Sequence, residues 1–378
     1  MPDLTPTILA PTDLSPAIEK AVMRSVSGAC SIVLRERIQS LWSGYGEIVR
    51  IGLECNQEVT PLVSTPSGDV PSDPPQLAQM PSHKTRIIKH VKVPNDISHP
   101  RGWNTDASHQ RKMHSYCVET NWYRDWAQMC DAHCRVPRAY VTQSFENQHL
   151  LVLEDLDAAG YPARLAKPSL SNMRPCLSWL AYFHAKFMVS RPIVGGCAKE
   201  HEGSALWRGG SYWHLDTRQD ELQALEHGEL RDAAIAIDSK LNSGRYHTII
   251  HGDAKVANFC FSEDKVKVAA VDFQYVGGGC GMRDVALFIS SCFGSDGCAQ
   301  HEKELLEYYF SQLKHALDHY SIVLDFTYLE CEWRELYIFA WADFVRFLKG
   351  WSPGHWKIHA YSEALTHKAI SVLREPQG

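Results

Sequence analysis

Asp253, Asn258 and Asp272 are the residues whose types and spacing could do chemistry. The first two lie in His251-Gly252-Asp253-Ala254-Lys255-Val256-Ala257-Asn258, and the third opens Asp272-Phe273-Gln274. A Thr-Ile-Ile run, Thr248 to Ile250, leads in, so the His-Gly-Asp turn belongs at a strand end. Phe259-Cys260-Phe261 follows, then a polar turn, Ser262 to Lys265, and a second apolar run, Val266 to Val271. In that run Val266, Val268 and Ala270 alternate with Lys267 and Ala269, as in a strand with two different faces. A short hairpin would carry the three oxygen-bearing side chains to one place. Asn258 and Asp272 offer the oxygen ligands that Mg2+, a hard cation, takes. Asp253 could accept or orient the proton of an attacking hydroxyl. Asp and Asn also serve simply to make turns. The His-Gly before the Asp, the hairpin after the Asn and the Asp-Phe-Gln at its end together favour the chemical reading.

The spacing Asp-x-x-x-x-Asn, followed by Asp-Phe-x, is the layout of a kinase catalytic loop and metal-binding turn. His-Gly-Asp in place of His-Arg-Asp, and Asp-Phe-Gln in place of Asp-Phe-Gly, resemble the aminoglycoside phosphotransferase and choline kinase superfamily. Within it the chain resembles the ecdysteroid-kinase-like (CHK kinase-like) group, from about Arg37 to the end. The resemblance implies an α+β, bilobal, protein-kinase-like fold, with an N-terminal antiparallel sheet and helix and a larger, mostly helical C-terminal lobe. It implies ATP and Mg2+ as cofactors, and transfer of the γ-phosphate to a hydroxyl of a small molecule, with Lys255 offsetting charge on that phosphate.

The elements that must position these groups come earlier in the chain. Ser15 is placed to cap a short helix from Pro16 to Val26, since Pro suits a first helical turn. Arg37 to Leu53 reads as a hairpin whose loop contains Gly44 and Gly46. Two glycines there would let backbone amides approach phosphates, although the loop lacks the usual Gly-x-Gly-x-x-Gly. Pro61 to Pro81 is a Pro-, Ser- and Asp-bearing insertion, read as a mobile loop reaching to about residue 83. Thr85 to Val93 reads as a strand that puts Lys89 on its more apolar face, where an ammonium needs a partner. Such a lysine could clamp phosphates. Glu119, at the border of the apolar stripe of a helix from Ser108 to Met129, is the expected partner. Ser115-Tyr116-Cys117-Val118-Glu119 matches the helix motif of the resembled family, which implies the same pairing. A hairpin, Arg138 to Phe145 and His149 to Leu153, runs into Glu154-Asp155-Leu156. In the implied fold this segment joins the lobes, and backbone groups at Glu154 and Leu156 would bind adenine. The expected domains are therefore 1–156 and 157–378.

In the second lobe a helix is expected from about Ser171 to Met188, with His184 on its buried face as a hydrogen-bonded core residue. Glu221 to Leu241 reads as one charged helix. Asp284, opening a helix after a glycine-rich stretch, reads as a cap and loop brace. Tyr212 and Trp213, Trp333, Tyr337 and Trp341, and Trp351 to Trp356 supply aromatics that could line a pocket or form core. Lining a pocket, they would suit an apolar or cationic acceptor. Cys130-Asp131-Ala132-His133-Cys134 lacks the second ligand pair of a zinc site.

Bulk properties narrow the class. The 378 residues can bury a large core, and 44% are hydrophobic. A net charge of -6 gives no electrostatic case for nucleic acid or an anionic membrane. No run approaches the roughly 18 apolar residues of a membrane span. The twelve cysteines follow no repeating framework and read as reduced thiols, and no secretory signal opens the chain. A cytoplasmic protein with no obligate protein partner is expected. Two other functions stay open. A protein Ser/Thr kinase is one, although Arg283 follows Asp272 by only eleven positions, which leaves no room for a long activation loop. A non-catalytic nucleotide-binding scaffold is the other.

Overall fold

The structure is a computed structural model that describes residues 7–9, 15–26, 30–41, 44–55, 82–92, 106–145, 148–188 and 205–375. The chain divides into two compact units, 1–104 with 139–155, and 105–138 with 156–378. The first holds β1 (Thr7–Leu9), α1 (Pro16–Arg24), β2 (Cys30–Ser40), β3 (Gly46–Cys55), β4 (Ser82–Lys92), β5 (Ala139–Phe145) and β6 (Gln148–Glu154). The strands form one antiparallel sheet in the order β1-β2-β3-β4-β6-β5. Ser15 caps α1, its side chain accepting from Ile18 N–H, and Pro16 opens the first turn. The helix buries Ile18, Ala21 and Val22 against Val49, Ile51, Leu53, Ile88, Leu150 and Val152 of the sheet. Burial of this apolar surface, at roughly 25 cal/mol per Å2, is what holds the helix to the sheet.

The expectation that every cysteine is a reduced thiol fails at one place. Cys30 and Cys55 face each other in the β2–β3 ladder and are joined as a disulfide. Sequence spacing hides this pair, because their meeting depends on the register of two long strands. The insertion expected over 61–83 lies outside the described residues, apart from the start of β4.

The second unit contains α2 (Asp106–Asn121), α3 (Leu170–Lys186), α4 (Gln219–Ala224), α5 (Glu229–Asp232), α6 (Ala234–Asn242), β7 (Thr248–Ile250), β8 (Phe259–Phe261), β9 (Val268–Ala270), β10 (Gly277–Gly279), α7 (Met282–Cys292), α8 (Ser295–His319), α9 (Phe326–Trp351) and α10 (Ala360–Arg374). It is mostly helical, so the α+β class expected from the sequence holds. The helix expected from Ser108 to Met129 ends at Asn121 and continues as a π-turn, Trp122–Trp126, and a 3-10 turn, Ala127–Met129. The single helix expected from Glu221 to Leu241 is three short ones. The chain breaks at Gly228, whose φ of 156 degrees no helix accommodates. Trp333, Tyr337 and Trp341 are buried in the core of this unit rather than lining a pocket. Among the described residues no helix is long and apolar enough to cross a membrane.

Candidate active site

The β8–β9 hairpin does what the sequence pattern requires. Phe259 pairs with Ala270 and Phe261 with Val268. One residue beyond the ladder, Val271 N–H donates to Asn258 C=O at 3.0 Å. Asn258 and Asp272 therefore sit together at the same end of one hairpin. Asp253 joins them through Asn258, whose Nδ2 donates to the Asp253 backbone oxygen at 2.8 Å and to its Oδ2 at 3.1 Å. Lys255 Nζ donates to the same Oδ2 at 2.7 Å. Burial alone would lower the Lys255 pKa, but the Asp253 and Asp272 carboxylates outweigh it and hold the pKa above the ordinary lysine value. The amide of Asn258 spends its NH2 on Asp253, which leaves its carbonyl oxygen to face elsewhere. Asp253 Oδ1 is buried with no hydrogen-bond partner among the described residues.

The loop is braced from behind. Asp284 Oδ2 accepts from His251 N–H at 2.6 Å and Oδ1 from Gly252 N–H at 2.9 Å. Asp284 is thus a brace, as expected, but it does not cap its own helix, which starts at Gly281 without a side-chain cap. His184, wholly buried, holds Asp284 with Nε2 at 3.2 Å and Tyr309 with Nδ1 at 2.8 Å, so it is the core histidine the pattern suggested. His251 Nδ1 accepts from Asp253 N–H at 3.2 Å. Its Nε2 therefore carries the proton and donates to Val271 C=O at 3.0 Å. One imidazole thus ties the Asp253 turn to the strand that delivers Asp272. Phe273 fills the space beneath, its ring 4.6 Å from His251 and stacked 4.6 Å from Trp122.

Gly252 has φ 77 degrees, and a Cβ there would stand 2.1 Å from Tyr275 C=O and 2.7 Å from Ser211 N. Both neighbours are backbone, so neither can yield. Gly252→Ala is expected to cost about 2–4 kcal/mol through positive φ and overpacking together. A denaturant titration would measure it, and an unchanged midpoint would refute this account of the turn.

Asp272 itself lies at φ 69 degrees, uncommon for a non-glycine residue. Gln274 fixes its carboxylate, with Nε2 donating to Asp272 Oδ1 at 2.7 Å. Gln274 Oε1 in turn accepts from Lys112 Nζ at 2.8 Å and Ser115 Oγ at 3.3 Å, both on α2. Sequence reading missed this chain. Its one signal was Gln274 itself, which stands where Asp-Phe-Gly would have a residue with no side chain. Tyr212 N–H donates to Gly252 C=O at 3.1 Å, and Tyr275 C=O lies against the same glycine. Burial, followed by the Asp253 carboxylate, pushes the Tyr212 hydroxyl well above the usual tyrosine range.

The other expected residues are divided between the two units. Lys89 lies on β4 of the first unit and is 5% exposed, opposite Ile48 and Leu151. Glu119 lies on α2 of the second unit and is buried. Gly44 (φ 76 degrees) opens to space, whereas a Cβ on Gly46 would meet His90 C=O at 2.0 Å. Gly46 is therefore needed by the sheet itself. Glu154 ends β6 opposite Arg86, and Leu156 packs with Cys260 and Ala269 in the second unit. Among the described residues no cluster of three or more His, Cys, Asp or Glu could hold a metal, and the Cys130–Cys134 segment forms none.

The geometry is that of a buried, braced loop carrying Asp253 beside a hairpin end carrying Asn258 and Asp272. Residues 211–322, which contain Asp253, Asn258, Asp272 and Asp284, match the model of the ecdysteroid kinase-like family. Over those residues the resemblance to the ecdysteroid kinase-like family read from the motifs holds. Among solved structures it is similar to an ethanolamine kinase from Plasmodium vivax, at 12% identity over 92% of this chain and 82% of that one, with a TM-score of 0.45. It is similar to a protein assigned as an aminoglycoside phosphotransferase in Ralstonia eutropha, at 13% identity over 95% and 96% of the two chains, TM-score 0.44. A protein assigned as a fructosamine-3-kinase in Haemophilus somnus gives 15% identity over 95% and 97%, TM-score 0.41. No curated protein matches the chain in sequence.

Proposed function

We propose that the protein is an ATP- and Mg2+-dependent phosphotransferase that moves the γ-phosphate to a hydroxyl of a small molecule. The observation that carries this reading is the Asp253 carboxylate. One oxygen is held by Lys255 and Asn258, and the other is buried and unpartnered among the described residues. A buried acceptor oxygen left unpaired costs free energy. An acceptor hydroxyl is the donor that would satisfy it, and Asp253 would then take or orient that proton.

The donor set also fits Mg2+. The Asn258 carbonyl and the Asp272 carboxylate, gathered at one hairpin end, are hard oxygen ligands. Bound there, the ion would supply charge neutralisation on the phosphates. Lys255 would offset charge on the γ-phosphate. In this reading Lys89 and Glu119 keep the roles their sequence positions suggest, the lysine clamping the α- and β-phosphates and the glutamate holding the lysine. Gly44, Glu154 and Leu156 remain proposed nucleotide contacts. Phosphoryl transfer needs mainly positioning and charge stabilisation, so these groups suffice. A cytoplasmic location and an apolar or cationic alcohol belong to the same proposal.

The test is to incubate the purified protein with Mg2+, γ-labelled ATP and a small-molecule extract, and to follow the label by mass spectrometry. A labelled metabolite, absent with Asp253→Ala, would support the reading and name the acceptor. Label on protein alone would move it to a protein kinase. No label on either, with Mg-ATP still bound, would favour the scaffold. Gln274→Ala should raise the Mg2+ concentration needed for half-maximal rate by roughly tenfold, because it frees the Asp272 carboxylate to turn. An unchanged Mg2+ requirement would remove Gln274 from the site.

A further inference from the structure

Lys357 lies between α9 and α10 and is only 8% exposed. Its Nζ donates to Ser290 Oγ at 3.2 Å, its one side-chain hydrogen bond among the described residues. It stands 5.3 Å from the Phe344 ring centroid and 5.6 Å from that of Trp356. An ammonium has three donors and is costly to bury. One hydroxyl and two ring faces compensate it weakly.

Its surroundings contain the catalytic loop. The charged and titratable groups that reach it are Asp253 and Lys255 from the loop, Cys292 from the end of α7 and Cys298 from α8. Its own segment adds His355, whose Nδ1 accepts from Lys357 N–H at 3.2 Å. A hydrogen bond ties the loop to the same stretch of α7. Val256 N–H of the loop donates at 2.9 Å to Ser291 Oγ, the side chain next to the Ser290 that holds Lys357.

We propose that Lys357 is a positioning residue of the transfer site: its ammonium joins Asp253 and Lys255 in one three-charge unit that orients the Asp253 carboxylate and works only while Lys357 is protonated. This inference rests on the phosphotransferase reading. No kinase motif contains the residue, because it comes from the segment before the last helix. Burial pushes Lys357 down to about 8, Asp253 pulls it upward, and Lys255 pushes it further down. The ammonium is thus present below that pH, and turnover should fall as pH rises through it.

Two measurements test this on the full chain. The first follows the Lys357 side-chain resonance in carbon-13 lysine-labelled protein, assigned by its loss in Lys357→Met. Asp253→Asn should shift its titration to lower pH and Lys255→Gln to higher pH. A resonance indifferent to both overturns the proposal. The second is the pH profile of labelled-phosphate transfer from Mg-ATP, with the extract as acceptor pool. Lys357→Met should lower turnover roughly tenfold, leave the KM for Mg-ATP within about twofold and remove the alkaline limb. Lys357→Arg should restore turnover in part and move the limb to higher pH. A Met variant with native turnover and limb also overturns the proposal. A purely structural lysine would lower the melting temperature on replacement, whereas this one should leave it unchanged or raise it. If the native chain transfers no phosphate at any pH, the phosphotransferase reading fails, and the resonance shifts still decide whether the charge unit exists.

Discussion

Replacing Asp253 with asparagine is expected to lower kcat by about a thousandfold, in the middle of the range that one positioned acid–base group contributes. The substitution keeps the size of the side chain and an oxygen for Lys255, but removes the charge that takes or orients the acceptor proton. The His251 and Asp284 braces act on backbone N–H groups, so the loop should keep its path. Mg-ATP affinity should change by no more than about threefold, because the proposed ion ligands are Asn258 and Asp272. Single-turnover transfer with labelled ATP, together with a nucleotide-binding titration, measures both. A variant that binds nucleotide and transfers phosphate at the native rate would remove Asp253 from the chemistry. A variant that neither binds nor transfers would mean that Asp253 serves the loop's structure instead.

The largest effect on stability is expected at Asp343. Arg346 Nε and Nη2 both reach Asp343 Oδ1, at 2.9 and 2.7 Å, and the same Nη2 donates to Trp213 C=O at 2.8 Å. Arg283, paired with Asp238 at 3.1 Å, lies 3.7 Å from Asp343 Oδ2. Asp343 and Arg346 are 0% exposed and Arg283 is 1% exposed. Burial would raise the Asp343 pKa, but Arg346 and Arg283 outweigh it and hold the carboxyl below its usual range. Asp343→Ala would leave the buried Arg346 guanidinium without a carboxylate and Arg283 with Asp238 alone, and such a break costs about 3–5 kcal/mol. Urea unfolding of the two proteins gives the number directly. A loss below about 1 kcal/mol would mean that water or another acid replaces the carboxylate. The pH dependence has a fixed sign. A depressed carboxylate stabilises the fold above the unfolded-state value of about 3.9 and loses that stabilisation as pH falls through its lower folded value. The alanine variant should therefore lose less stability than the native chain on acidification.

The gathering of Asp253, Asn258 and Asp272 was legible because it is local. The residues lie within twenty positions on one hairpin, and alternation along Val266 to Val271 reveals its second strand. Ser15 with Pro16, and His184 among Leu177, Leu180 and Ala181, were legible for the same reason: a cap and a helical face are short-range patterns. Features set by distant chain were not. Cys30 meets Cys55 only through strand register. Lys112 reaches Gln274 across 162 positions, and Lys357 meets Ser290 across 67. The break at Gly228 shows a different limit. Helix propensity summed over Glu221 to Leu241 is favourable, and the extended backbone at Leu225 and the positive φ at Gly228 override it between α4 and α5.

The β8–β9 hairpin holds Asn258 and Asp272 at one end, and its tip, Glu263 to Lys267, is exposed at the other. The tip closes on itself, with Ser262 Oγ donating to Asp264 at 2.6 Å and Ser262 N–H to Lys267 C=O at 2.9 Å. Val266 there is 61% exposed. A short self-contained turn of this kind tolerates new chemistry. It is the place to attach a fluorophore or a surface tether, because the hairpin carries any reporter on the same two strands that deliver the proposed ion ligands without occupying their end.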